Sequence, residues 1–112
     1  MTKQTNLGDV LASLFKTIES RRSAAPETSY TASLLAAGPA KCAKKFGEEA
    51  VEAAIAGALE DNDALTGEAA DALYHLMVLL ASAGISPDDV AAELAARQGV
   101  SGHAEKAARK NS

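Results

Sequence analysis

Two pairs of carboxylates, Glu49 with Glu52 and Glu68 with Asp71, are spaced three residues apart inside alanine-rich runs. Alanine is the strongest helix former, so both runs read as helix. A spacing of three puts the two members of a pair on one face, about 5–6 Å apart at Cβ. If the two helices pack antiparallel, all four acids meet. Such a cluster repels itself, and burial pushes at least one carboxylate toward protonation unless a cation sits among them. Oxygen-only ligands in this number suit a hard divalent ion such as Mg²⁺. The chain is therefore constrained to a helical bundle that can bring acids together.

The rest of the sequence agrees with an all-α fold of four to five helices. Leu7, Val10, Leu11, Leu14, Phe15 and Ile18 form an amphipathic stripe, with Asn6 as N-cap and Arg21-Arg22 suited to the helix's negative end. Ser23 to Thr28 breaks the pattern with Pro26. Ser29 to Ala37 predicts a short helix stopped by Gly38, and Pro39 is placed to begin the next. That helix extends to about Leu59, with Phe46, Val51, Ile55 and Leu59 available for packing. Asp61-Asn62-Asp63 reads as a polar turn. A central helix follows from about Ala64 to Gly84, and Ser86-Pro87-Asp88-Asp89 starts a last helix packed through Val90, Ala91 and Leu94. Residues 1–98 form one domain in this reading, and residues 99–112 a polar C-terminal tail. At 112 residues the chain is near the size where a partner subunit helps.

Composition excludes several classes of function. A net charge of -4 argues against a nucleic-acid binder, which carries a basic face. No apolar run is long enough to span a membrane, and no targeting segment is evident. The lone Cys42 forms no intrachain disulfide, and the expectation is a soluble, cytoplasmic protein. Cys42 beside Ala43 reads as a small buried side chain, with no histidine partner to make it a nucleophile.

The acids have an ordinary reading as well. Lys45 and Glu49 are an i, i+4 pair, and a solvated face with surface salt bridges would account for them. Against it, Glu68 and Asp71 interrupt a central helix whose neighbours Ala69, Leu73 and Leu76 read as buried. His75, four residues after Asp71, shares their face and reads either as a histidine hydrogen-bonded for structure or as a group that orders substrate. A di-iron bundle would place an acid three residues before it, and Ala72 stands there. Lys41, Lys44 and Lys45 precede the acids, as expected where lysines hold phosphate oxygens and carboxylates hold the bridging ions.

The order Glu-Glu-x-x-Glu, then Glu-x-x-Asp on the next helix, resembles the MazG-like all-α nucleoside triphosphate pyrophosphohydrolases. Ser29-Tyr30-Thr31, Gly38-Pro39-Ala40-Lys41, Lys44 to Glu52 and Glu68 to Leu76 are more specifically similar to the phosphoribosyl-ATP pyrophosphatase family. The resemblance runs from the first helix to about Arg97. It implies a Mg²⁺-dependent homodimer that hydrolyses 1-(5-phosphoribosyl)-ATP to the AMP derivative and pyrophosphate, the second step of histidine biosynthesis. It also implies Glu49, Glu52, Glu68 and Asp71 as metal ligands and Glu48 as a supporting acid. Water attacking the α-phosphorus must lose a proton, which Glu52 or Glu48 would accept. Lys41, Lys44 or Lys45 would hold the departing diphosphate. Tyr30 could flank the purine, whereas Tyr74 reads as packing. Two competitors are a housekeeping pyrophosphohydrolase of noncanonical or deoxynucleoside triphosphates, and a non-catalytic helical interaction module.

Overall fold

A computed structural model describes residues 6–98, so the expected tail at 99–112 lies outside the described residues. Five α-helices and one short 3₁₀ turn follow in order: α1 Leu7–Ser20, the 3₁₀ turn Arg21–Ser23, α2 Tyr30–Ala37, α3 Pro39–Ala58, α4 Asn62–Ala83 and α5 Pro87–Arg97. The all-α expectation holds, and among the described residues no strand occurs. No single helix is long and apolar enough to cross a membrane.

Local chemistry sets the boundaries. Asn6 Oδ1 accepts the Asp9 amide at 2.8 Å while its amide nitrogen donates to Asp9 Oδ2, also at 2.8 Å. Ser86 and Asp89 cap α5 reciprocally, and Ser29 caps α2. Each cap satisfies an amide that the helix leaves without a partner, worth about 1 kcal/mol. Gly84 ends α4 in the left-handed region at φ 75°, with Ile85 N donating to Leu80 O and Gly84 N to Ala81 O. This is the Schellman arrangement, for which glycine carries no Cβ penalty.

The α3–α4 connection is shorter than the sequence suggests. Asp61 accepts the Ala64 amide at 3.1 Å and so acts as N-cap, which draws Asn62 and Asp63 into the helix instead of leaving them as a turn. Glu60 takes the left-handed conformation, φ 57°, at the end of α3. Its amide donates to Gly57 O and that of Asp61 to Ala56 O, so the same motif is built without glycine. With so short a link, α3 folds back along α4, and these two helices make the most extensive packing in the molecule. Leu65 packs beside Gly57, where a Cβ would meet it at an ordinary contact distance of 3.8 Å.

The core gathers where α1, α2, α3 and α4 meet. Ile18, Leu34, Cys42, Met77, Val78 and Ala81 are buried together, with Leu11, Leu14, Phe15 and Leu76 against them. Cys42 is a packing residue as expected, and its thiol donates to Leu34 O. Arg22 departs from expectation. It pairs with Glu19 of α1 at 2.8 Å and also reaches the far end of α4, donating to the Ala81 carbonyl. A cation there answers the exposed carbonyls of the α4 terminus.

Two apolar groups expected to pack stand exposed among the described residues. Val51, Ile55 and Leu59, one turn apart along α3, are 58%, 53% and 74% exposed. Val90 and Leu94 of α5 are exposed as well. With so few helices, α4 and α2 cover only part of α3's circumference, and the opposite line is left to solvent.

Candidate metal centre

Antiparallel packing of α3 on α4 puts Glu49, ten residues before Leu59, level with Glu68 and Asp71, seven and ten residues after Asp61. One carboxylate oxygen from each of the three lies within 4.8 Å of the others. Glu49 and Glu68 are half-buried, and Asp71 is exposed. Each helix contributes rigid backbone, so the cluster is preorganised rather than assembled from loops.

The acids of the cluster disfavour one another's ionised forms. Burial, followed by the charges of Glu52, Asp71 and Glu49, raises the Glu68 pKa above the usual carboxylate value. Desolvation and like charge both disfavour the ionised form, and a divalent ion would reverse both effects. Three carboxylates with no sulfur or nitrogen donor fit a hard, oxygen-seeking ion.

The other expected site residues stand at different removes from this centre. Glu52 stands one turn beyond Glu49, exposed and outside the group of three, although its charge is felt at Glu68. Glu48 is exposed and pairs with Lys45, Nζ to Oε1 at 3.2 Å. That hydrogen bond, reinforced by the charges of Tyr30 and Glu48, raises the Lys45 pKa. Lys41 and Lys44 point to solvent from the first turns of α3.

His75 is 6% exposed, and its Nδ1 is buried without a hydrogen-bond partner. The structurally hydrogen-bonded histidine that the sequence allowed is therefore not what the fold builds. Burial lowers the imidazole pKa, as does the charge of Lys45, while Glu49, Asp71 and Glu48 oppose the shift. The imidazole lies edge-on to Tyr74 at 4.9 Å and to Tyr30 at 6.1 Å between ring centroids. Tyr74 packs as expected, yet its hydroxyl also shares a hydrogen bond with Thr31 Oγ1. Periodicity carries no signal for a contact spanning 43 residues.

A family model described as phosphoribosyl-ATP pyrophosphohydrolase matches residues 11–98, which includes every acid of the cluster. This chain belongs to that family. Similar relatives named phosphoribosyl-ATP pyrophosphatase include one from Roseobacter denitrificans, 59% identical over 99 residues that cover 88% of this chain and 94% of the relative. Another, from Ruegeria pomeroyi, is 57% identical over 100 residues, covering 89% and 95%. A third, from Rhodobacter capsulatus, is 59% identical over 99 residues, covering 88% and 96%. The matched stretch contains Glu49, Glu52, Glu68 and Asp71, and membership in an enzyme family sets aside the reading of the chain as a non-catalytic interaction module.

Proposed function

We propose that this chain hydrolyses 1-(5-phosphoribosyl)-ATP to 1-(5-phosphoribosyl)-AMP and pyrophosphate, the second step of histidine biosynthesis. The observation that carries the reading is the convergence of Glu49, Glu68 and Asp71 from two packed helices, in a chain of this family. Near-complete coverage of relatives named for that activity supports the substrate over simple nucleoside triphosphates.

Glu49, Glu68 and Asp71 would hold Mg²⁺, with Glu52 in reserve one turn away. The ion, when bound, neutralises polyphosphate charge and acidifies the attacking water. Glu52 is the better proton acceptor of the two candidates, because Glu48 is engaged by Lys45. Glu48 then serves to hold the Lys45 ammonium toward the phosphates, and Lys41 and Lys44 add positive charge on the same helix. Tyr30, 55% exposed beside His75, offers a ring face to the purine, and His75 Nδ1 offers a nitrogen to the substrate. In-line attack at the α-phosphorus needs these groups in place beforehand, since reorganising them during the reaction would add to the barrier.

The protein acts in the cytoplasm as a homodimer in this reading. The exposed line Val51, Ile55 and Leu59 runs on from the acids of α3 and is the surface that a second copy would cover.

Pyrophosphate release from phosphoribosyl-ATP, measured with and without Mg²⁺, tests the proposal. Turnover that requires the metal and falls at least about 100-fold in Asp71→Asn is expected. Strong turnover of deoxynucleoside triphosphates with none of phosphoribosyl-ATP would transfer the site to the alternative substrate class.

A further inference from the structure

We propose that Thr31 is a positioning residue: through the Tyr74 hydroxyl it holds the His75 imidazole so that Nδ1 is left for a polar atom of the bound nucleotide. The inference deepens the activity proposed above and rests on it.

The contact joins the first turn of α2 to the middle of α4 across 43 residues. Tyr74 is half-buried, so its hydroxyl needs a partner, and Thr31 Oγ1 supplies one. That bond fixes the direction of the phenol ring. The ring edge in turn meets His75 at an interplanar angle of 77°, and Tyr30 closes on the same imidazole at 86°. The imidazole thus meets two aromatic rings at steep angles, and the nearer of them, Tyr74, is anchored by its hydroxyl.

Most buried nitrogens in native proteins have a partner, and leaving one bare opposes folding. His75 Nδ1 is such a nitrogen, and the charges that reach it are Glu49, Asp71, Glu48 and Lys45, all groups of the candidate site. A ring so placed, with an unmade hydrogen bond beside an acid cluster, is preorganised for a ligand. If the Thr31–Tyr74 bond merely tied α2 to α4, its loss would lower stability and leave substrate affinity alone.

The full chain, assayed with phosphoribosyl-ATP and Mg²⁺, separates the two. Thr31→Val keeps the shape and removes the hydroxyl. It should raise KM about five- to tenfold with kcat within about twofold of wild type, the effect of one lost hydrogen bond that acts in binding. Thr31→Ser should restore KM, and Tyr74→Phe should reproduce the loss. In a His75→Gln background Thr31→Val should add nothing, because the residue it acts through is gone. Should His75→Gln fail to fold, the Thr31→Val/Tyr74→Phe double variant replaces it and should be no worse than either single change. An unchanged KM in Thr31→Val, or full additivity in either cycle, overturns the proposal. If the wild-type chain releases no pyrophosphate from phosphoribosyl-ATP, the activity is what fails. Thr31 is then judged by the ¹⁵N resonances of the His75 ring, which should shift in Thr31→Val and recover in Thr31→Ser; unchanged resonances overturn it.

Discussion

Replacing Asp71 by Asn removes one charge from the three-carboxylate cluster while nearly preserving side-chain shape, and its effect on stability should change sign with magnesium. Without the ion, oxygens within 4.8 Å of one another lie well inside a Debye length of about 8 Å, so ordinary salt screens their repulsion poorly. Burial first, and then the charges of Glu52, Asp71 and Glu49, raise the Glu68 pKa. Asp71→Asn relieves it, and the metal-free variant should melt no lower than wild type. With the ion present the order inverts. A ligand at 100 times its Kd stabilises the native state by about 2.7 kcal/mol. At roughly 2.1 cal/mol/K of unfolding entropy per residue, 112 residues give about 0.24 kcal/mol/K, hence a Tm rise of about 11 °C. Loss of one ligand that weakens affinity by about 10- to 100-fold leaves about 0.4–1.4 kcal/mol at the same concentration, or about 2–6 °C. Calorimetry of both proteins with chelator and with a magnesium titration reads the crossing directly. A variant that melts well below wild type in chelator, yet gains as much from magnesium, would mean that the three oxygens do not share a cation.

Three other perturbations test separate parts of the argument. Val78 is wholly buried in the core, so Val78→Ala should cost about 2–3 kcal/mol and lower Tm by about 10 °C, read by calorimetry. His75 has a folded pKa below its ordinary value of 6.5, so the unfolded chain binds the extra proton; stability is full above that pH and falls as pH drops below it. His75→Gln should flatten that decline below pH 6.5 in thermal melts, where the wild type carries the cost of burying the ring and feels Glu49, Lys45, Asp71 and Glu48 around it. Ile55→Glu places a charge in the exposed apolar line of α3; if the proposed homodimer forms through that line, sedimentation should read a dimer for wild type and an 11.4 kDa monomer for the variant.

Helix by helix, most of the fold was legible before any coordinates, because its signals are local. Asn6, Ser29, Gly38-Pro39 and Ser86-Pro87 act within one turn of where they stand, and a stripe such as Leu11, Leu14 and Ile18 needs only the helical period. The α3–α4 boundary was misread for the same reason: Asp61 could be either turn or cap, and its bond to the Ala64 amide decides between them. Arg22 shows the limit plainly. Its neighbours in sequence point to α1, whereas its hydrogen bond reaches Ala81, 59 residues away.

The acids divide along the same line. Spacing alone put Glu49 with Glu52 and Glu68 with Asp71 on shared faces, since that is a property of one helix. Which members face the neighbouring helix depends on how α3 and α4 are rotated against each other, and that rotation is set by packing. Packing brought Glu49 to Glu68 and Asp71, left Glu52 one turn outside, and tied Glu48 to Lys45. It also buried His75 against Tyr74 and Tyr30 with a nitrogen unpaired. Periodicity and capping are short-range and can be read along a chain; the distance between side chains of different helices exists only once the helices have packed.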